Sequence, residues 1–168
     1  MTAAEFKNGI MNWLKKNGIE ENIDTIIFNE HSYFDWKNNV VAIGVYDEGD
    51  VINWFEEFLV DHNLKWTGIM PPVLALLHEV GHSKTVYSLE YSERIMCRML
   101  KDLLGPTNGS KEAAFDYWNI RDEADANNWA VEFINNHIDA VTELHQYFIS
   151  NWEDCLNEMT AEAEQMAV

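Results

Sequence analysis

Apolar residues recur at helical spacing between Ala3 and Lys16, where Phe6, Ile10, Trp13 and Leu14 share one face and Asn17-Gly18 supplies a stop. An amphipathic helix opens the chain. Thr25-Ile26-Ile27-Phe28 and the run from Asn39 to Tyr46 are β-branched and aromatic, with polar residues between them, and predict two or three strands of a small sheet. A second helix is expected after Asp50, placing Val51, Trp54, Phe55, Phe58 and Leu59 on one side and fading at Asp61-His62-Asn63. Pro71-Pro72 then suits the first turn of a third helix, because proline is pre-organised there and its missing N–H is not needed. Leu74, Leu76, Leu77 and Val80 cover most of that helix, so it should be buried.

The pattern continues with a helix from Ser88 to Leu104, whose apolar side carries Tyr91, Ile95, Met96, Met99, Leu100 and Leu103 and which Gly105-Pro106 ends. Asn108-Gly109-Ser110 reads as a loop. Ser110 can cap one long helix running to about Asn136, and a last helix over 138–165 follows with Val141, Leu144, Phe148, Trp152, Cys155 and Met159 on a stripe. These elements predict an α+β fold, a small β-sheet followed by a mainly helical region, with the whole span 1–168 forming one domain.

Composition narrows the function classes. Acidic residues number 29 against 11 basic ones, giving −18, a charge that repels nucleic acid and anionic lipid and favours a basic protein partner. The longest apolar stretch, Ile69 to Leu77, falls short of a membrane span and contains two prolines. The first residues show neither a basic lead nor a continuous apolar segment, so the expected location is the cytoplasm. Cys97 and Cys155 have neither zinc-pair spacing nor the density of a disulfide framework and are expected to be packed thiols.

Chemistry concentrates on the third helix. In His78-Glu79-Val80-Gly81-His82 the two histidines lie one turn apart on the same face, where each can present a nitrogen to one metal ion. Glu79 stands about 100° around from His78, beside the pair, and can take a proton from an activated water without being a ligand. Burying these groups on an apolar helix is costly unless something satisfies them, and a zinc ion does so. Gly81 weakens a helix by roughly 1 kcal/mol relative to alanine. A neighbouring backbone is therefore expected to pack against it.

A catalytic zinc commonly keeps three protein ligands, so a third donor is needed. At 100° per residue, Glu123 falls within the arc of Ala126, Ala130, Val131 and Ile134 and faces the core, whereas Asp125 faces water with Asn128 and Glu132. Glu123 is the expected third ligand. Asn127, one turn beyond it, can accept the second N–H of a ligand histidine through its amide oxygen. His31, His62, His137 and His145 receive no role. Tyr87, Tyr91 and Tyr117 are candidate donors to a developing oxyanion.

His78-Glu79-Val80-Gly81-His82 and Glu123-Ala124-Asp125-Ala126-Asn127-Asn128-Trp129-Ala130 together resemble the ImmA/IrrE group of bacterial and phage zinc peptidases, whose pattern is HExGH followed by E-x-E-A-N/D-x-F-A. Trp129 stands where the pattern has Phe, and Asp125 where it has Glu. The resemblance spans about Thr25 to Ile134, the motif core being about 25–136. It implies a zincin-like fold of the gluzincin kind, zinc as cofactor, the first glutamate as ligand, and cleavage of a DNA-bound regulator. The competing expectation from the charge of −18 is a non-enzymatic acidic protein, such as a DNA mimic or inhibitor, with a structural metal.

Overall fold

The computed structural model describes residues 1–45, 50–105 and 110–166, with the side chains of residues 50, 52 and 160–166 outside the description. Tyr46, Pro106, Asn108 and Gly109, which the sequence assigns to a strand end, a helix stop and a loop, lie outside the described residues.

Helix α1 runs over Ala3–Lys16 and starts from a reciprocal cap: the Thr2 hydroxyl accepts from the Glu5 amide while the Glu5 carboxylate accepts from the Thr2 amide. Its buried residues are the four that the periodicity selects, Phe6, Ile10, Trp13 and Leu14. Three strands follow: β1 (Thr25–Asn29), β2 (Tyr33–Asp35) and β3 (Val40–Gly44), in the order β1-β3-β2. β1 runs parallel to β3 with Thr25 opposite Val40, and β2 runs antiparallel to it with Tyr33 opposite Ala42. Val41, Ala42 and Ile43 are all fully buried, as expected for a central strand covered on both faces.

Helix α2 (Asp50–Asp61) precedes α3 (Pro71–Thr85), which has proline in its first turn and packs on β3 and β2. A short 3-10 turn, Val86–Ser88, separates α3 from α4 (Tyr91–Leu104), so the expected helix from Ser88 begins later. Glu90 caps it and Gly105, at φ 64°, ends it. In α4 the apolar side is largely uncovered. Cys97 is its buried residue, whereas Tyr91, Met96, Met99 and Leu103 are 60–77% exposed. Its apolar side forms the outside of the molecule.

The single helix expected from Ser110 to Asn136 is broken into α5 (Lys111–Trp118) and α6 (Arg121–Asn136). Ser110 does cap α5, its hydroxyl accepting from the Ala113 amide. Asn119 closes that helix by donating from its side chain to the Phe115 carbonyl, and Ile120 has φ −59° and ψ 138°. This turn frees the Trp118 carbonyl for use elsewhere. α7 (Ile138–Met166) closes the fold, with Val141, Leu144, Phe148 and Cys155 buried and Trp152 and Met159 partly so. Phe148 packs against Phe6 edge-on at 5.0 Å and Tyr147 stacks on it at 5.1 Å, joining the two ends of the chain. Cys97 and Cys155 are buried free thiols, as expected. Among the described residues no helix is long and apolar enough to cross a membrane.

Candidate metal centre

The site lies where α3 meets α6, the most extensive helix pair in the molecule. A Cβ placed on Gly81 would sit 2.5 Å from the Ala126 carbonyl oxygen and 3.0 Å from the Ala126 Cα. No side chain larger than hydrogen fits there. The absence of one lets the two backbones approach closely enough for His78, Glu79 and His82 on α3 to meet Glu123 and Asn127 on α6.

All five side chains turn inward. His78, Glu79, Glu123 and Asn127 are at most 7% exposed, and the His82 side chain is 12% exposed. The His78 Nε2 lies 3.1 Å from His82 Nε2 and 3.1 Å from Glu123 Oε2, and His82 Nε2 lies 3.4 Å from Glu123 Oε1. Glu79 is set back, with Oε1 4.0 Å from His78 Nε2. Among the described residues two groups have ligand atoms mutually within 4.8 Å, namely His78, Glu79 and His82, and His82, Asp122 and Glu123. They share His82, and the Glu123 carboxylate joins them by facing both histidines, closer to His78 than Glu79 is.

Asn127 determines how His78 presents itself. Its amide nitrogen donates to the Trp118 carbonyl at 3.3 Å, so its oxygen faces His78 Nδ1 at 2.8 Å and accepts that N–H. The other ring nitrogen, Nε2, is thereby aimed at the cluster, and it carries the lone pair once the ring is neutral. The break between α5 and α6 makes this possible, because an unbroken helix would engage the Trp118 carbonyl within itself. Phe55 closes one side, edge-on to His78 at 5.5 Å.

Electrostatics differ among the members. Burial disfavours the charged form of Glu123, but His82 and the hydrogen bonds from both histidines outweigh it and hold the carboxyl well below its ordinary pKa. Burial likewise works against protonated His78, yet the hydrogen bond to Glu123 and the charges of Glu79 and Glu123 prevail, raising it to about 9. For Glu79 burial dominates and raises its pKa, with the two histidines opposing. The two carboxyl groups thus end on opposite sides of their ordinary value: burial raises both, and only at Glu123 do the histidines outweigh it.

Two residues that sequence reasoning passed over belong to the site. Lys101 of α4 pairs with Asp122 and with Glu123 Oε1, and Asp122 also accepts the Glu123 amide at 3.0 Å. Its ammonium is buried, which weakens the charge, but Glu123 and Asp122 more than offset this and raise its pKa. The available signal was the spacing of Arg94, Arg98 and Lys101 on one face of α4. Arg121 pairs with Glu93 and stands 3.9 Å from Asp125, at the surface rather than at Glu123.

Of the tyrosines, Tyr87 donates to the Trp36 carbonyl and Asn39 Oδ1, and Tyr91 is 71% exposed. Tyr117 alone is held in the field of Glu123: burial and that carboxylate raise its pKa, so its hydroxyl keeps its proton. His62 and His137 bond the Phe58 and Phe133 carbonyls, and His145 accepts the Met70 amide. The centre opens into a cleft of about 1730 Å³ that His31 also borders. Comparison with protein-family models, with curated proteins and with solved structures returns no match for this chain.

Proposed function

We propose that the chain is a zinc-dependent peptidase of the ImmA/IrrE type, with a zincin-like catalytic domain. The observation that carries this reading is the convergence of two imidazole nitrogens and one carboxylate. Tetrahedral zinc with bonds near 2.05 Å requires its ligand atoms to stand about 3.3 Å apart; the two imidazole nitrogens are 3.1 Å apart, and each stands at a similar distance from one oxygen of the Glu123 carboxylate, His78 at 3.1 Å from Oε2 and His82 at 3.4 Å from Oε1. Two imidazoles and one carboxylate also match the borderline softness of that metal. His78, His82 and Glu123 would hold the ion. Lys101 pairs with Oε1 of Glu123, the oxygen that also faces His82, and leaves Oε2 toward His78.

Zinc bound there supplies Lewis acidity toward water and a substrate carbonyl. The chain's own groups supply the proton chemistry. Glu79, buried and beside the ligands rather than among them, accepts the proton of the attacking water and passes it to the leaving amine. Tyr117 lines the cleft with its ring 6.0 Å from Lys101 Nζ, and its hydroxyl is the candidate donor to the oxygen where negative charge develops. The centre lies at the base of a cleft large enough for a peptide segment, which favours a polymeric substrate.

The partner we propose is a basic, DNA-binding protein met in the cytoplasm, in keeping with the charge of −18 and two free buried thiols. The test uses purified protein and its Glu79→Gln form. One zinc per chain is expected in both, with a basic protein captured by Glu79→Gln in a salt-dependent manner and cut by wild type. A captured protein left intact by zinc-loaded wild type, with cuts absent at every zinc level, would replace this reading with that of an acidic binding protein carrying a structural metal.

A further inference from the structure

Four cationic side chains of this strongly acidic chain line the cleft: Lys37, Arg94, Arg98 and Lys101. Three of them come from α4 at positions i, i+4 and i+7, which places them within about 60° of arc along one face of that helix. Lys101 is engaged by Asp122 and Glu123. Arg94 and Arg98 have no carboxylate partner among the described residues, although acidic side chains outnumber basic ones 29 to 11. The acidic groups lining the cleft outside the metal centre and its Lys101 contacts, Glu30 and Asp102, form no ion pair with either arginine.

Arg94 also has an aromatic neighbour. Its guanidinium lies over the Trp36 ring, 5.6 Å from the centroid, and Lys37 covers the same ring at 5.6 Å. Its Nε is buried with no hydrogen-bond partner. A guanidinium over an indole face keeps its N–H groups free in its own plane, and two of them can take a carboxylate through parallel hydrogen bonds. An arginine lining the cleft over this ring, with no carboxylate partner among the described residues, can receive an anionic group arriving through the cleft.

Building on the peptidase reading above, we infer that the α4 wall selects peptide segments carrying an aspartate or glutamate near the scissile bond, with Arg94 and Arg98 as the specificity-determining residues. Arg98 stands about 4.5 Å and Arg94 about 10 Å along the helix axis from Lys101, which touches Glu123. An extended peptide advances about 3.3 Å per residue, so the acidic side chain falls roughly one to three residues from the cleaved bond. A basic protein can present such a segment. The field of the whole chain acts at long range and is screened beyond about 8 Å at physiological ionic strength, whereas the arginines act at contact.

The probe is a random decapeptide library, captured on immobilised, zinc-loaded Glu79→Gln protein at physiological ionic strength and sequenced by mass spectrometry. Captured peptides should be enriched about fivefold or more in Asp and Glu over Asn and Gln at one position. Adding Arg98→Glu, an exposed charge reversal that does not burden folding, should turn the preference toward Lys and Arg. Arg94→Lys should weaken the acidic preference while keeping the charge, because the paired N–H groups are lost. Absence of acidic enrichment, or the same enrichment with Arg98→Glu, overturns the inference even where wild type cuts the library. An acidic preference that follows the arginines supports it even where zinc-loaded wild type leaves every captured peptide intact, a result that removes the hydrolytic reading alone.

Discussion

Helices α3 and α4 follow one another in the chain and use opposite sequence patterns. α3 is apolar around most of its circumference yet buries the most polar cluster in the protein, His78, Glu79 and Ser83 together with their partners on α6. α4 has a clear apolar side, and most of that side faces outward: Met99 is 66% and Leu103 77% exposed, while its basic side lines the cleft. The contrast separates two questions that periodicity merges. A pattern says which residues share a face, and only the neighbours decide whether that face is covered. On α3 the neighbour is the backbone of α6, brought close by Gly81.

The largest effects should come from breaking the α3–α6 cluster. His78→Ala or Glu123→Ala should leave the protein without zinc and without hydrolysis together, whereas Glu79→Gln should keep one zinc per chain and slow turnover by roughly 10²–10⁴-fold. Elemental analysis beside a peptide-cleavage assay reads both. Retention of full zinc by Glu123→Ala, with loss in Asp122→Ala, would move the third ligand to the neighbouring carboxylate.

Gly81→Ala comes next. Alanine favours the helix by about 1 kcal/mol, but its Cβ meets the Ala126 carbonyl at 2.5 Å, and backbone cannot rotate away as a side chain would. Overpacking costs about 1–3 kcal/mol; against backbone that cannot yield the upper half of that range applies, which leaves about 1–2 kcal/mol after the helix gain and a fall in Tm of roughly 2–8 °C for a chain of this size. Zinc affinity should weaken with it. An unchanged Tm and affinity would show that the two helices can separate without consequence.

A pH dependence follows from His78. In the metal-free protein its pKa is raised from 6.5 to about 9, so the stabilisation it brings is complete below pH 6.5 and is lost as pH rises through about 9. The Tm measured with chelator should therefore decline over that window. Zinc takes the neutral imidazole, so its uptake displaces this proton and its affinity should climb over the same range. Calorimetry in buffers of different ionisation enthalpy measures the proton released. A flat profile from pH 6.5 to 9 would mean that His78 is already neutral before metal arrives.

The smallest effects belong to exposed positions. Met99→Gln and Leu103→Gln on α4 should each change stability by no more than about 0.5 kcal/mol, against about 2–5 kcal/mol for Leu77→Ala in the core. Asp125→Asn should leave zinc content unchanged, since that carboxylate faces outward toward Arg121. Urea melts of the four variants give the ordering. A loss of more than 2 kcal/mol at Met99 or Leu103 would mean that the outer face of α4 is covered in solution.

By itself the sequence determined the local elements and the local chemistry. Periodicity alone selects Phe6, Ile10, Trp13 and Leu14, and fixed spacing on a helix suffices to put His78, His82 and Glu79 side by side. The inward face of α6 could be assigned the same way, because Glu123 and Asn127 share it with Ala126 and Ala130. Tertiary structure decided the rest. Whether α5 and α6 are one helix depended on Asn119 closing a turn and on Asn127 claiming the Trp118 carbonyl, partners nine residues apart that no period encodes. Lys101 and Asp122 entered the centre only because α4 lies across the start of α6, and an ion pair between helices leaves no trace in the pattern of either one. The cover over an apolar face is likewise a property of the neighbours, which is why α3 was legible as buried and α4 was not legible as exposed.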